Sequence, residues 1–275
     1  MAWTETTRLH YRREALRYAS DLTNAEWALI SPFLPTSSRL GRPRKTDLRA
    51  VVEAILYMAS TGCQWRAIPK DFPPYSTVQG YFYAWSHGGL LAHINHMLVM
   101  ALREKLGREA SPTAGAIDSQ SVKTTECAGP RGFDAGKKIK GRKLHIVTDT
   151  EGHLVGLQVH PADIQDRDGA PDLLASIRSL YPWLRHVFAD GGYAGDKLRD
   201  AMAPLGQWTF EIIKRSDAAK HSFELLPRRW VVERTFAWLG RCRRLAKDFE
   251  ATIESAVAWI FIAHIRRLTR RLIRA

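Results

Sequence analysis

The chain has 275 residues, 45% of them apolar, enough for one large folded domain or a main domain with a smaller companion. No apolar run reaches the roughly 18 residues a bilayer crossing requires, and the opening MAWTETTRLHYRREALRY lacks the apolar block of a secretory signal, so a cytoplasmic protein is expected. The net charge of +13, from 41 Lys and Arg against 28 Asp and Glu, favours a polyanionic partner, usually nucleic acid, with simple solubility charge as the alternative.

Residues 1–19 read as an N-terminal arm. Thr23 and Glu26 have capping-box spacing and predict a short helix through AEWALISPFL. After the basic loop SSRLGRPRK (37–45), Thr46 is placed to cap a helix in which Leu48, Val51, Val52, Ile55 and Met58 share a face, with Gly62 as its stop. A proline-rich connection leads to Ser76 and the helix TVQGYFYAWSH, and a further amphipathic helix follows Gly88–Gly89. Residues 20–106 are therefore expected to be all helical. Gln79, Tyr81 and Tyr83 on the third helix suggest a helix-turn-helix-like DNA reader, although a plain helical packing domain has the same pattern.

GREASPTA (107–114) reads as a linker, and the pattern then changes. AGAID predicts a strand ending on Asp118, and KLHIVTDTEGHLVGLQVH predicts a hairpin about DTEG. DRDGAPDLLASIRSLY predicts a helix with acids at its start, HVFAD a strand, DKLRDAMAPL a helix, FEIIKR a strand, and RRWVVERTFAWLGRCRRL a helix. Strands and helices in this order predict an α/β domain over 115–250 with a mixed sheet. Residues 251–275 form a basic C-terminal helix, read as a phosphate-binding face rather than a membrane-surface helix.

The basic residues cluster. From Pro227 onward, 12 Arg and Lys face 4 Asp and Glu, and GPRGFDAGKKIKGRK (129–143) forms a second group. The candidate DNA contacts are Lys123, Lys137, Lys138, Lys140, Arg142, Lys143, Arg229, Arg234, Arg241, Arg243, Arg244 and Lys247. Cys63, Cys127 and Cys242 are scattered, with no CxxC pair, and suggest neither a disulfide framework nor a zinc site.

Asp118 and Asp190 each end an apolar strand, and both would project at one sheet edge if those strands are neighbours. Glu233 lies in an apolar helix, beside the face formed by Val231, Val232, Phe236 and Leu239. Taken singly, each Asp could be a turn or cap residue and Glu233 half of a surface pair with Arg229 or Arg234. Taken together, three carboxylates on rigid elements suit Mg²⁺ or Mn²⁺, and two such ions about 3.5–4 Å apart can drive phosphoryl transfer. Asp166 is the choice for a fourth acid, while Asp163, Asp166 and Asp168 also suit a helix N-terminus. His145 and His160 read as structural.

AIDSQSVKT, HPADIQDRDGA, FADGGYAG and RRWVVERTFAWLGRCRRLAKDFE resemble the transposases of bacterial insertion sequences of the IS5 group, and LTNAEWALISPFLP with the helices after it resembles their leader domain. The resemblance covers about residues 20–250. It implies a ribonuclease-H-like mixed β-sheet flanked by helices, preceded by an all-helical DNA-binding domain. It also implies a catalytic and metal-binding triad of Asp118, Asp190 and Glu233, served by two Mg²⁺ ions with Mn²⁺ as substitute. Arg229 matches the arginine of the family's Tyr, Arg, Glu, Lys signature, whereas Leu226 and Gly240 stand where its Tyr and Lys are expected. The implied activity is binding of terminal inverted repeats in double-stranded DNA, cleavage of the ends and transfer of the 3′ strands, by a homodimer or higher homo-oligomer. A metal-dependent nuclease without strand joining and a non-catalytic DNA-binding descendant are the alternatives.

Overall fold

The structure, a computed structural model, describes residue 4 and residues 12–36, 43–126, 129–213 and 229–275. Cys127, Leu226, most of the basic loop 37–45 and the last two residues of FEIIKR lie outside the described residues.

The helical half begins as the caps dictate. Helix α1 (Asn24–Ile30) carries the complete capping box: the Thr23 hydroxyl accepts the Glu26 N–H, and the Glu26 carboxylate accepts the Thr23 N–H. Helix α2 (Leu48–Thr61) starts one residue later than expected, because Asp47 rather than Thr46 caps it by accepting the Arg49 N–H at 2.9 Å. Gly62 ends it at φ 72°, a left-handed conformation that glycine adopts without a Cβ penalty. Helix α3 (Tyr75–His87) starts directly after Pro74, ahead of the expected Ser76 cap, and α4 (Leu90–Lys105) follows the two glycines. Residues 62–74 between α2 and α3, with a single 3₁₀ turn at Trp65–Ala67, exceed the three or four residues of a tight helix-turn-helix connection.

The second half is one mixed sheet. Its strands are β1 (Ala114–Lys123), β2 (Gly132–Asp134), β3 (Ile139–Asp149), β4 (Leu154–Pro161), β5 (His186–Ala189) and β6 (Thr209–Ile212). β3 pairs antiparallel with β1, β4 and the short β2, while β1, β5 and β6 run parallel. Without β2, the spatial order β4–β3–β1–β5–β6 with this mixture of directions is that of a ribonuclease-H-like sheet. β1 does not end at Asp118 as its apolar start suggested. β3 supplies it with partners as far as Lys123, whereas its parallel pairing with β5 stops at Ala116 and Phe188. Asp118 therefore sits where one half of the sheet ends and the other continues.

Helices cover both faces. Leu173, Leu174 and Ile177 of α5 (Asp166–Ile177) belong to the core that contains Ile117, Val147 and Val187. Val232 and Leu239 of α7 (Trp230–Leu239) join Ala116, Ile146 and Phe188 on the other face. The short α6 (Asp196–Met202) lies between β5 and β6 in sequence. α7 stops at Gly240, so Arg241, Arg243, Arg244 and Lys247 fall on the turns beyond it rather than on a continued helix.

The C-terminal α8 (Ile253–Arg274) is amphipathic and half sunk in the protein. Trp259, Ile262, Ile265, Leu268 and Leu272 enter the core that includes the N-terminal helices, and Trp259 stacks on Phe82 at 4.6 Å. His264, fully buried, accepts the Leu154 N–H through Nε2, and its Nδ1 lies 2.6 Å from the Asn95 side chain. Among the described residues, no helix is long and apolar enough to cross a membrane.

Candidate active site

Strand alternation aims the two aspartates. On β1, Ala116 faces the α7 side, so Asp118 two residues on faces it too; on β5 and its extension, Phe188 and Asp190 repeat the relation. Ala116 pairs with Phe188, so the same register carried two residues further sets Asp118 beside Asp190. Glu233 comes from α7, which covers that face. Its side chain is 55% exposed and lies on the rim rather than in the core.

Arg229 ties the rim together. One guanidinium nitrogen lies 3.3 Å from Glu233 Oε1 and 3.7 Å from Asp190 Oδ2, which puts both acids against the same cation. Asp190 also caps the turn after its strand, accepting the Gly192 N–H through Oδ1 at 2.8 Å. Burial pushes the Asp118 carboxyl up to about 6; the Ser119 N–H opposes that shift and the Asp190 charge adds to it. Lys137 reaches over from the loop after β2, donating through Nζ to the Ser119 carbonyl at 3.2 Å. Among the described residues, no three His, Cys, Asp or Glu side chains stand close enough to hold one ion as they are. The donors are nevertheless all carboxylate oxygens, the type a hard divalent cation takes, and a single Arg229 guanidinium is now shared between two of the acids.

The opposite face carries a second polar layer. Ser119 and Ser121 lie across from His145 and Lys143 on β3. Asp166, at the start of α5, accepts from Ser119 Oγ at 2.7 Å and from Lys143 Nζ at 2.8 Å. Burial alone would raise the Asp166 carboxyl, but these two bonds outweigh it and hold it below the usual range. Tyr193, 1% exposed, anchors the turn after Asp190 from beneath, its hydroxyl 2.6 Å from His145 Nε2. His160 Nδ1 lies 3.0 Å from the Pro161 carbonyl, which can only accept, so His160 donates there. His160 Nε2 and His145 Nδ1 are 3.5 Å apart. Burial lowers both histidines, so both are neutral, and with Nδ1 of each protonated His145 Nε2 accepts from Tyr193. Both are structural, as expected. The serine supports were missed; their only signal was the spacing of polar residues at alternate positions of β1 and β3, and Tyr193, in the turn after Asp190, carried none.

Two of the expected DNA contacts are corrected. Arg142 is 1% exposed, and its guanidinium donates to Asp248 at 2.9 Å and to the carbonyls of Pro130, Ala251 and Thr252. Lys143 is 5% exposed and held by Asp166 and the Ile164 carbonyl. Neither reaches solvent, so neither can meet a phosphate. Arg244 is tied to Glu250 and stands over Trp259, and Arg234 lies against the rings of Trp230 and Trp238. Lys123, Lys137, Lys138, Lys140, Arg241, Arg243 and Lys247 are exposed.

The chain is similar to known proteins over most of its length. Residues 109–268 match the family model described as "Transposase DDE domain", and residues 22–95 match "Putative transposase of IS4/5 family". The chain is 31% identical over 117 residues to the uncharacterized protein y4sN of Sinorhizobium fredii, covering 42% of this chain and 87% of that one. It is 33% identical over 129 residues to "Putative transposase for insertion sequence element IS402" of Burkholderia cepacia, covering 44% of this chain and 59% of that protein. Among solved structures, the Mos1 strand transfer complex aligns at a TM-score of 0.31 and 12% identity over 87% of this chain and 79% of that one. The Mos1 paired-end complex with left transposon end aligns at 0.30 and 11%, over 87% and 80%. The N-terminal match is a likeness to insertion-sequence transposases of the IS4/5 family, and with the DDE-domain match spanning more than half its length, the chain belongs to the DDE transposases.

Proposed function

We propose that this protein binds the terminal inverted repeats of its own element, cuts the DNA ends and transfers the 3′ strands to target DNA, with Asp118, Asp190 and Glu233 as the catalytic carboxylates. The observation that carries the reading is the β1–β5 register, which turns Asp118 and Asp190 to the face covered by the helix that bears Glu233. Membership of the family implies divalent metal, and these three acids are the residues that would hold it, as two Mg²⁺ ions with Mn²⁺ as substitute. When bound, such ions activate the attacking oxygen and stabilise the leaving one.

The chain's own residues supply the rest. Arg229 offsets part of the charge of Asp190 and Glu233, and the Gly192 N–H fixes Asp190 Oδ1 while Oδ2 faces Arg229. Lys137, beside Asp118, is placed to meet a phosphate oxygen, and the exposed Lys123, Lys138, Lys140, Arg243 and Lys247 extend that surface. Residues 20–106 serve as the DNA-reading part, joined by 107–114 to the catalytic part at 115–250. Tyr75, Gln79 and Tyr83, spaced by four on the outer face of α3, offer a base-reading stripe, with Gln79 Nε2 3.4 Å from the Tyr83 hydroxyl. Holding two ends together calls for a homodimer or larger assembly, working in the cytoplasm on nucleoid DNA.

The test is incubation of duplex oligonucleotides carrying the element's ends with Mg²⁺ or Mn²⁺. The wild type is expected to give both nicked and strand-joined products, and Glu233→Gln and Asp118→Asn to give neither. Nicks without joined products would convert the reading to a nuclease. Cleavage by Asp118→Asn at the wild-type rate would remove the triad.

A further inference from the structure

A second cationic feature has a lining that does not include the three carboxylates. Helices α7 and α8 and the β3–β4 turn enclose a cleft of about 740 Å³. It is lined by Arg234, Arg241, Arg266, Arg267, Arg270, Arg271 and Arg274, against one acid, Glu151. The β3–β4 turn follows Asp149, whose partner on β1 is Gly115, three residues before Asp118. The helix that presents Glu233 to the rim presents Arg234 and Trp238 to the cleft.

Several of these arginines are fixed and crowded together. Arg267 lies 3.5 Å and Arg234 4.5 Å from the centre of the same Trp238 ring. Arg267 donates to the Gly152 carbonyl, Arg234 to the Glu151 carbonyl and Arg270 to the Ala19 carbonyl, so backbone, not carboxylate, holds them in place. Glu151 is shared between Arg108 at 2.7 Å and Arg271 at 3.8 Å. The Nε atoms of Arg234 and Arg266 are buried with no hydrogen-bond partner among the described residues. Burial, then repulsion from Arg271 and Arg234, depresses Arg267 to about 9, which still leaves it charged at neutral pH. Packing like charges this closely costs stability unless an anion is to be received, and a row of forked donors matches consecutive phosphates.

We propose that the Arg234–Arg274 cleft grips the phosphodiester backbone of a DNA segment other than the one presented to the carboxylates. The inference rests on the transposase reading above, and adds a second, sequence-independent hold on DNA through the reverse side of the Glu233 helix. A grip of this kind follows charge and not bases, so it contributes equally on every duplex.

The test compares the full-length wild type with the triple variant Arg241→Gln, Arg271→Gln, Arg274→Gln, titrating an element-end duplex and a random-sequence duplex across a salt series. Three lost phosphate contacts should flatten the slope of log affinity against log salt by about 2 to 3, equally for both duplexes. The corresponding Arg→Lys triple should restore the slope. On the unmutated protein, phenylglyoxal labelling read by mass spectrometry should show Arg241, Arg271 and Arg274 shielded by DNA. An unchanged slope in the Gln variant, or equal labelling with and without DNA, overturns the proposal even where the wild type binds and cuts DNA. A wild type that neither binds nor cuts overturns the transposase reading itself.

Discussion

Asp118 is a residue whose stability and function pull in opposite directions. Its carboxyl, ordinarily near 3.8, is pushed up to about 6 by burial, with the Asp190 charge adding to it. An acid that holds its proton more tightly folded than unfolded stabilises the fold fully below about pH 4, and that contribution drains away as pH rises to about 6. Above that pH the ionised carboxylate is a standing cost of about 2–3 kcal/mol. In the presence of a chelator, Asp118→Asn should therefore be more stable than the wild type at pH 8 by about that amount, and equal to it at pH 4. Added Mg²⁺ should raise the melting temperature of the wild type alone. Equal denaturant midpoints for the two proteins at both pH values would show that the site is not strained by its acid. The residue types of this site were legible in the sequence, since an aspartate after an apolar run is visible as such. The position of Asp118 within its strand was not, because strand length depends on how far the neighbouring chain offers partners. The burial of Arg142 and Lys143 was equally hidden, since a basic run does not reveal which of its members meet an acid from elsewhere in the chain.

At the scale of elements, the buried ion pairs decide which pieces stay together. Arg103, near the end of α4, donates to Asp149 at 2.5 Å, and His153 Nδ1 lies 3.0 Å from the same carboxylate. Asp149 is fully buried, yet these partners and the His153 N–H outweigh its burial and hold it well below the usual carboxylate range. Such a group stabilises the fold above the ordinary carboxylate pKa, and the contribution is lost as pH falls below about 4. Arg103→Met leaves the carboxylate with one partner fewer and should cost about 3–5 kcal/mol at pH 7. The variant should also begin acid unfolding at higher pH than the wild type, followed by circular dichroism; coincident acid transitions would refute the role. Local pattern found the hairpin, the α1 capping box and the Gly62 stop, because each is fixed by residues within a few positions of one another. It missed β2, a three-residue strand within a segment whose basic charge dominated its reading.

At the scale of the whole molecule, α8 is the member that the sequence disguised. Its arginines suggested a phosphate-binding face, and nothing in that reading showed that they occupy one side of a helix whose other side carries Trp259, Ile262, Ile265, Leu268 and Leu272 into the core. That stripe joins the N-terminal helices to the protein's main core, while Ala256, Ile260 and Ala263 of the same helix pack with the β-sheet face under α7. A chain with separate DNA-reading and catalytic modules would melt in two steps, and a lesion in one would leave the other in place. A helix shared by both halves predicts the contrary. Trp259, 1% exposed and stacked on Phe82 of α3, is the point at which to test it. Trp259→Ala should cost about 3–5 kcal/mol and shift a single calorimetric transition as a unit. Its amide-exchange protection should fall together in α2, in α4 and in the central strands β1 and β3. Two transitions with only the helical one displaced would mean that α8 belongs to one half alone. The arginine cleft, built between α8 and α7, would then be able to open without disturbing the N-terminal helices.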